Sequence, residues 1–574
     1  MDTQVLIVGA GPVGLTLAID LGKRGIRCTL AEKNDAPLGY PKMERCNPRT
    51  MEIFRRLDLA EKVRAAGYPP DWPLDVYFVF DLMRPPVLKM PYPSVTEAKA
   101  ERDAINDGTM PLEPYQIISQ YTLEPLLKSV AESIPAVDVK FGHEFLEFAQ
   151  DEGGVTAQIR KTNGENVSVR AQYLVGCDGG SSQVRKQLGY KMEGEPNILD
   201  MRQALFHCPE LYDKVPAPPA RHYHRIDDTW TLMIVQDSRK HFTLHAVVEN
   251  DEDMATLFEQ LVGIPVQYEM LHCAKWTQRL LLADHYAQDR VFIAGDAAHL
   301  VIPTGGLGMN TGVGDAIDIS WKLAATLKGW GGLKLLPSYE AERRPVGGRN
   351  VKASGAGTRG RMTWRAEYRP GIDQDTPEGK AALARLLEVA KVEAPKSSRV
   401  VGAELGYRYE GSPIIFDEPG APPHNTEDYV PTSWPGARLP HVWIEPGRLS
   451  VHDRIEDGYT LLRIGRIKAD AAALDQAFAA IGAPFYVLDV DGEATRARST
   501  ASTLVGAPGP ACGLARQRAA RRRRARGTGR HRSLMFGARH CGRVRFGRKV
   551  TRPGKMTRIT MPRTISQTNG QEAR

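Results

Sequence analysis

Residues 5–14, VLIVGAGPVG, are the stretch that predicts the fold of this 574-residue chain. Its first four residues are apolar and β-prone, as in a buried parallel strand, and residues 15–25 have the pattern of an amphipathic helix. Between the two, Gly9 would make a tight turn, Gly11 would let the backbone approach a pyrophosphate, and Gly14 would let helix and strand pack closely. The unpaired N–H groups at the start of such a helix bind phosphates. The stretch therefore predicts a dinucleotide-binding α/β fold.

A second apolar run, residues 28–31, ends at Glu32, which follows Gly14 by 18 positions. An acidic residue in that place can accept hydrogen bonds from ribose hydroxyls. We therefore predict nucleotide contacts from both segments, namely from Gly9, Gly11, Pro12, Val13, Gly14, Glu32 and Lys33.

Two later segments each end a strand-like run with an aspartate beside a glycine. Residues 173–179, YLVGCDG, contain Asp178, and residues 290–296, RVFIAGD, contain Asp296. The following loop, PTGGLGMN at 303–310, has glycines that permit close backbone approach to a ligand. A helix predicted from residue 315 to 327 would point its N-terminus back toward that ligand. The alternative is that Asp178 and Asp296 only terminate strands or cap helices, as aspartates often do.

The three segments, in this order and at these separations, resemble the single-component FAD-dependent aromatic hydroxylases. This is the para-hydroxybenzoate-hydroxylase and phenol-hydroxylase-like family, in its larger three-domain branch. The resemblance implies that Asp178 serves both the flavin and the passing nicotinamide cofactor, and that Asp296 holds a ribityl hydroxyl. It adds Arg45 and Gln120 as cofactor contacts, for which the alternatives are a solvated arginine and a loop glutamine. The residues implied around the flavin ring are Gly295, Asp296, Pro303, Gly306, Gly308, Met309 and Asn310.

The region between Asp178 and Asp296 predicts an antiparallel sheet, because alternating runs at 203–206, 220–224, 229–235 and 241–248 are separated by turn signals. In the family, such a sheet covers the flavin with the substrate between them. Side chains alternate between the two faces of a strand, and the sequence leaves open which face is the pocket. A lone histidine or aromatic residue in a strand is more often core or surface than ligand. The catalytic residues therefore stay unknown, and the candidates are His222, His224, His245 and Pro303, with Trp230 and Met233 as further pocket candidates.

The resulting fold prediction is an α/β protein with a discontinuous Rossmann-like (GR2-type) FAD-binding domain over 1–180 and 275–400. It is interleaved with an antiparallel-sheet substrate domain over 181–274, which also takes in segments near 75–115. A proline-rich approach begins near 413, and the β–α–β order up to residue 498 resembles the thioredoxin-like third domain of the branch. It has no CxxC pair, so we predict packing or dimer contact for it and no redox role.

The segment 499–574 differs in composition from the rest of the chain. It carries 19 Lys or Arg and one acid, Glu572, whereas residues 1–498 have a net charge of −10. Family members have a hairpin after the β–α–β unit, and here we expect it to be missing. With GC-rich codons, residues 504–518 shifted by one base recover that hairpin, which predicts a frameshift near Arg498 and a disordered tail. The alternative is an arginine-rich arm for nucleic acid or an anionic membrane.

We therefore predict a monooxygenase that binds FAD and uses NAD(P)H and O2 to hydroxylate a phenolic or polycyclic aromatic through a flavin C4a-hydroperoxide. The alternatives are an epoxidase or Baeyer–Villiger-type tailoring enzyme and, from its scaffold, a flavin halogenase, although the Trp-x-Trp-x-Ile-Pro string of the halogenases is absent. A nucleic-acid-binding protein that depends on the tail is the alternative from another class. No run is long and apolar enough for a membrane span, and the seven scattered cysteines favour neither disulfides nor a metal site. We expect a cytoplasmic protein with small-molecule partners, either a monomer or a homodimer.

Overall fold

The structure is a computed structural model of the chain. It describes residues 1–236, 239–416, 418–464 and 470–490, and the backbone of 501–506 and 513–518. The helices are α1 (Pro12–Lys23), α2 (Pro48–Arg56), α3 (Ala60–Ala66), α4 (Val95–Ala104), α5 (Gln120–Glu132), α6 (Gln183–Gln187), α7 (Leu211–Lys214), α8 (Asp251–Val262), α9 (Leu307–Leu327), α10 (Ser338–Arg365), α11 (Pro377–Glu393), α12 (Val401–Leu405) and α13 (Ala472–Ala480).

The strands of the first half of the chain are β1 (Thr3–Val8), β2 (Cys28–Ala31), β3 (Arg45–Cys46), β4 (Val76–Val79), β5 (Leu88–Met90), β6 (Gln116–Ile117), β7 (Val137–Lys140), β8 (His143–Asp151), β9 (Gly154–Lys161), β10 (Asn166–Gly176), β11 (Met192–His207), β12 (His222–Arg225), β13 (Leu232–Gln236) and β14 (His241–Ala246). Those that follow are β15 (Glu269–Ala283), β16 (Ala287–Gln288), β17 (Val291–Ile293), β18 (His299–Leu300), β19 (Trp443–Glu445), β20 (Leu449–Ser450), β21 (Tyr459–Ile464), β22 (Phe485–Val490), β23 (Ala501–Gly506) and β24 (Gly513–Arg518).

The first sheet contains the parallel strands that the glycine stretch predicts, in the order β16-β17-β10-β1-β2-β7, with β9 and β8 attached to β10. Strands β1, β10 and β17 are adjacent and parallel, and Val8 pairs with Gly176, which pairs with Ile293. The carboxyl ends of these three strands therefore meet at one edge of the sheet. Open α/β sheets bind their ligands at this edge, and the three predicted nucleotide segments all begin there.

The second sheet is the predicted substrate sheet, in the order β18-β15-β11-β14-β13-β12-β4-β5. Its strand β15 continues to Ala283, so the predicted boundary at residue 274 falls inside a strand. One face of the sheet packs on helix α8, where side chains from four neighbouring strands join Phe258 in a buried cluster: Ala204, Tyr223, Met233 and Leu244. This face is hydrophobic core.

The opposite face of the second sheet carries the three candidate histidines. His224 pairs with Leu232, Leu232 with His245, and His222 with Ile234, so all of these side chains lie on the face away from α8. The prediction that Met233 lines the pocket is wrong, because Met233 is fully buried in the core cluster on the other face. Trp230 lies two residues before β13 and has a positive φ of 59°.

The C-terminal part forms a separate small sheet in the order β22-β21-β23-β24. Strands β21 and β22 are parallel and joined through α13, as the β–α–β pattern predicts. Strand β23 pairs antiparallel with β21 and with β24. The expectation that no hairpin follows residue 498 therefore differs from the structure, because 501–506 and 513–518 form two paired strands. The short β-prone run in 501–505 and the Gly/Pro-rich connection favour such a turn. The predicted frameshift and the rest of the tail lie outside the described residues. In the described residues, no helix is long and apolar enough to cross a membrane.

Candidate functional site

The glycine turn after β1 has two glycines that pack against protein and one that does not. Gly9 has a φ of +103°, and a Cβ there would lie 2.4 Å from the carbonyl oxygen of Cys177. A Cβ on Gly14 would lie 2.0 Å from the carbonyl oxygen of Gly9. A Cβ on Gly11 would meet no atom within 4 Å. Gly11 therefore faces open space at the start of helix α1, whose first turn has no side-chain cap. A pyrophosphate needs such open space and free N–H groups.

Glu32 lies next to this turn at the end of β2. Its Oε2 accepts a hydrogen bond of 2.9 Å from the backbone N–H of Ala10, and its Oε1 accepts one from the backbone N–H of Asn34. The carboxylate thus fixes the turn and lies beside the open space. Of the other predicted contacts, Lys33 is exposed, and the side chain of Val13 approaches Gly295.

Asp178 follows β10 and caps helix α6. Its Oδ2 accepts hydrogen bonds from the backbone N–H groups of Gln183 and Val184, at 2.7 and 3.2 Å. Its Oδ1 is buried without a hydrogen-bond partner in the described residues, and burial raises the pKa of Asp178 above its ordinary value. The capping alternative is therefore correct for one oxygen, while the other is buried and makes no hydrogen bond with a described residue.

Asp296 follows β17 and has an exposed carboxylate between the buried residues Gly295 and Ala297. Its side chain makes no hydrogen bond or ion pair with a described residue. The preceding residue is anchored to helix α9, because the backbone N–H of Gly295 donates a hydrogen bond of 3.1 Å to Oδ2 of Asp315. Asp296 thus lies at the strand edge with carboxylate oxygens that pair with no described residue and can accept hydrogen bonds from a ligand hydroxyl.

Asp315 is the centre of a buried ion-pair network that the sequence reasoning missed. It is fully buried, Nε2 of His299 lies 2.8 Å from its Oδ2, and Nε of Arg343 donates to its Oδ1 at 2.7 Å. Burial alone would raise the pKa of Asp315, but the charges of Arg343 and His299 outweigh burial and hold this pKa below its ordinary value. The spacing of these residues along the chain gives no sequence signal for the network.

The loop at 303–310 turns through two glycines in left-handed conformation, Gly305 with φ +83° and Gly306 with φ +64°. Helix α9 then begins at Leu307, earlier than the predicted start at residue 315, and it has no side-chain cap. Pro303 is exposed at the loop entrance, and Gly308 and Met309 are partly buried in the first turn. The loop therefore presents a free helix N-terminus, which favours a negative charge beside it.

The side chain of Asn310 closes this loop on itself and on the segment before α2. Its Nδ2 donates to the backbone carbonyls of Gly306 and Arg45, and its Oδ1 accepts from the backbone N–H of Asn47 at 2.9 Å. The side chain of Asn310 is thus occupied by protein contacts.

Arg45 and Gln120 also hold the chain around the loop. Nη1 of Arg45 donates to Oε1 of the buried Glu404 at 2.6 Å and to the carbonyl of Gly305 at 3.2 Å. Gln120 donates to Glu124 at 2.6 Å and accepts from the backbone N–H of Lys42 at 3.1 Å. Neither side chain is a solvated surface group.

Glu44 and His222 form a further hydrogen-bonded pair that the sequence did not reveal. Nε2 of His222 lies 2.8 Å from Oε1 of Glu44, which also accepts from Nη2 of Arg221 at 2.5 Å. Burial alone would raise the pKa of Glu44, but Arg221 and His222 outweigh burial and hold it well below its usual range. Because Glu44 and Arg45 are consecutive, one short segment connects the histidine face of the second sheet with the loop at Gly305.

Burial lowers the pKa of all three histidines of this face, which favours their neutral form. Burial lowers the pKa of His222, and Arg221 adds to this while Glu44 opposes it. Burial, with the charges of Arg361 and Arg365, holds the pKa of His224 well below its ordinary value. For His245, burial and Arg361 lower the pKa to about 3. Neutral imidazoles can accept a proton.

The donors and spaces at the edge of the first sheet fit FAD. Open space at Gly11, the exposed carboxylate of Asp296, which pairs with no described residue, and the uncapped start of α9 lie on segments that meet at one edge. These are complements of a pyrophosphate, of sugar-chain hydroxyls and of a ring that becomes negative on reduction.

Comparison with known proteins agrees with this geometry. The family model for the FAD binding domain matches residues 2–354. The FAD-dependent monooxygenase apdD of Emericella nidulans is 32% identical in an alignment 524 residues long that covers 85% of this chain and 83% of that protein. Phenol 2-monooxygenase of Pseudomonas sp. strain EST1001 is 29% identical over 82% of this chain and 81% of its own length.

Solved structures agree as well. The rebeccamycin biosynthetic enzyme RebC with reduced flavin superposes with a TM-score of 0.80 at 32% identity, over 89% of this chain and 95% of that one. A ternary complex of aklavinone-11 hydroxylase with FAD and aklavinone gives a TM-score of 0.75 at 26% identity, over 90% and 96%. The resemblance inferred from the three motifs is confirmed. The chain therefore belongs to the FAD-binding-domain family of flavin-dependent monooxygenases and hydroxylases, and it is an oxidoreductase that uses FAD.

Proposed function

We propose that this enzyme uses NAD(P)H and O2 to hydroxylate a phenolic or polycyclic aromatic ring. The observation that carries the proposal is the Glu44–His222 pair, in which His222 lies on the histidine face of the second sheet and Glu44 directly precedes the arginine that contacts the Gly305 loop. The relatives support the substrate class, since they include a phenol monooxygenase, polyketide hydroxylases and aklavinone hydroxylases. FAD, when bound and reduced by NAD(P)H, would supply the chemistry that activates O2, of which one oxygen atom goes to the aromatic ring and the other leaves as water.

The proposed FAD contacts come from the three sheet-edge segments. Gly11 and the start of α1 would take the pyrophosphate, Glu32 the ribose, and Asp296 the ribityl chain. Gly306, Gly308 and Met309 would lie beside the ring, where backbone N–H groups can stabilise its negative charge. Arg45, Gln120 and Asn310 would act through the backbone that they hold, because their side chains are engaged with protein groups.

His222 is the proposed acceptor of the phenol proton. Because the Glu44 carboxylate is ionised, Nε2 of His222 must donate to it, which leaves the lone pair on Nδ1. No described residue hydrogen-bonds to that Nδ1. Proton transfer from a phenol to Nδ1 would make the ring more electron-rich and better able to attack an electrophilic oxygen. Glu44 orients the imidazole and stabilises the cation that forms, as a carboxylate partner does for a catalytic histidine.

The proposal is tested by NAD(P)H oxidation with the FAD-loaded protein against a panel of phenols and polycyclic phenols, with hydrogen peroxide assayed in parallel. We expect at least one phenol to stimulate oxidation with little peroxide. His222→Gln should lower kcat for that phenol by about 100-fold or more, in the range of general-base catalysis. His207→Gln, at the far end of the same sheet, is the matched control and should leave kcat unchanged. Equal kcat in wild type and His222→Gln would contradict the role of His222. Coupled turnover only with ketones or alkenes would favour a Baeyer–Villiger-type enzyme or an epoxidase.

For the remaining parts of the chain we propose a thioredoxin-like third domain over 413–498 that serves packing or dimer contact. The parallel β21–α13–β22 unit supports it. Sedimentation of the purified protein distinguishes a homodimer from a monomer.

A further inference from the structure

Arg361 lies on helix α10 between the loop at 303–306 and the histidine face. Two turns before it, Oγ of Ser354 donates to the carbonyl of Ile302 at 2.9 Å, and one turn before it Thr358 donates to Oγ1 of Thr304 at 3.2 Å. One turn after it, Nη2 of Arg365 donates to the carbonyl of Thr231 at 3.0 Å. Residues three and four apart share one face of a helix. Arg361 therefore projects from the face of α10 that spans the loop and the second sheet.

Arg361 has no counter-ion among the described residues. Three other arginines near the loop at 303–306 and the histidine face are paired: Arg45 with Glu404, Arg221 with Glu44, and Arg365 with Asp227 at 3.6 Å. Arg361 makes no ion pair or hydrogen bond with a described residue. The groups whose charges it influences are the three histidines and Arg365, and none of them is acidic. An imidazole is neutral or cationic, so the histidines do not compensate its charge.

The environment of Arg361 makes an unpaired charge unfavourable. The residue is partly buried, and burial lowers the pKa of its guanidinium to about 10. It is still positively charged at pH 7. Cations that are withdrawn from water in proteins are normally paired with an anion. Guanidinium groups bind carboxylates and other oxyanions through two parallel hydrogen bonds.

We infer that Arg361 binds an oxyanion of the aromatic substrate, either a carboxylate or the ionised phenol itself. This inference rests on the proposed function, because it assigns a property to the substrate of the same pocket. An anion bound there would lie between the loop at Thr304 and the histidine face, which brings an acidic aromatic ring to the place where hydroxylation is proposed. A neutral ring would leave the charge of Arg361 uncompensated.

The test compares binding of three probes: 1-hydroxy-2-naphthoate, its methyl ester and 1-naphthol. The ester masks the carboxylate and keeps the phenol. Dissociation constants are measured from the change in absorbance of the bound flavin, with FAD-loaded wild type, Arg361→Gln, Arg361→Lys and Arg359→Gln. Arg359 is exposed on the same helix and serves as the matched control. The absorbance of the bound ester and of bound 1-naphthol reports whether the phenol is ionised.

If a carboxylate is the ligand, Arg361→Gln should weaken binding of the naphthoate by about ten- to a hundredfold and leave the ester unchanged. If the phenolate is the ligand, Arg361→Gln should bind all three probes more weakly by that factor. The phenolate absorbance of the bound ester and of bound 1-naphthol should also disappear in this variant. Arg361→Lys should recover part of the lost affinity, and Arg359→Gln should match wild type. Equal affinities of wild type and Arg361→Gln for every probe would overturn the inference. Phenol-stimulated NAD(P)H oxidation with parallel peroxide assay, measured with the same proteins, separates this failure from failure of the proposed function.

Discussion

The substitution Gly14→Ala should mainly destabilise the fold, whereas Gly11→Ala should mainly weaken cofactor binding. A methyl group at residue 14 would lie 2.0 Å from the carbonyl oxygen of Gly9, whereas non-bonded heavy atoms prefer a separation of about 3.5 Å. The obstructing atom belongs to the backbone of the turn and cannot move away as a flexible side chain would. We expect Gly14→Ala to lower the free energy of unfolding by at least about 3 kcal/mol, the upper end for overpacked sites.

At residue 11 the same methyl group meets no protein atom within 4 Å, and the φ of −69° suits alanine. The only cost to folding is that alanine is a poorer N-cap than glycine, about 1 kcal/mol or less. The methyl group would, however, stand in the open space that we assign to the pyrophosphate. We expect Gly11→Ala to bind FAD at least about tenfold more weakly, which corresponds to about 1.4 kcal/mol.

Urea denaturation of the apo-protein gives the first quantity, and quenching of FAD fluorescence on titration with apo-protein gives the second. Wild-type FAD affinity in Gly11→Ala would refute the assignment of this space to the cofactor. A loss of stability in Gly11→Ala as large as that in Gly14→Ala would refute the packing argument.

Three further predictions follow from the site and the C-terminal sheet. Asp315→Asn should cost about 3–5 kcal/mol of unfolding free energy at pH 7, because it leaves Arg343 buried without its partner. Folding lowers the pKa of Asp315, so the stabilisation by its ionised form is present above about pH 4 and is lost as the pH falls further. Between pH 5 and pH 2, the free energy of unfolding of wild type, measured by urea denaturation, should therefore fall more than that of the variant. Asp296→Ala should weaken FAD binding about tenfold, measured by flavin fluorescence, with unchanged apo-protein stability, because no described residue pairs with Asp296. Deletion of 519–574 should leave flavin content and NAD(P)H oxidation unchanged. Deletion of 499–574 also removes β23 and β24 and exposes the edge of β21, so it should lower the melting temperature or cause aggregation. If deletion of 519–574 instead abolished a salt-sensitive binding of nucleic acid, a functional basic arm would be favoured.

The nucleotide end of the fold was predictable because its signals are local. The glycines, the apolar strands and the aspartates lie at positions that the backbone of a parallel sheet requires, so each can be recognised from a few neighbouring residues. The start of α9 at Leu307 was not predicted, because the two glycines before it are typical of a loop and give no sign that a helix begins directly after them.

The substrate side was less predictable, because its arrangement depends on pairing between distant strands. The alternation of side chains along β13 was predictable, but which face is turned away from the core was not. That is set by the packing of Met233 in the cluster with α8. Glu44 and Arg361 were missed for the same reason. Each is a single charged residue, and only the folded chain shows that one pairs with His222 and that the other is left without a partner.

The most direct test of the account is to run the reaction under 18O2 with the FAD-loaded protein, NAD(P)H and the phenol that stimulates oxidation most strongly. We predict a hydroxylated product that contains one labelled oxygen atom, formed in nearly equal amount to the NAD(P)H consumed. A product without label, or complete conversion of the label to hydrogen peroxide with every phenol tested, would contradict the assignment of this enzyme as an aromatic hydroxylase.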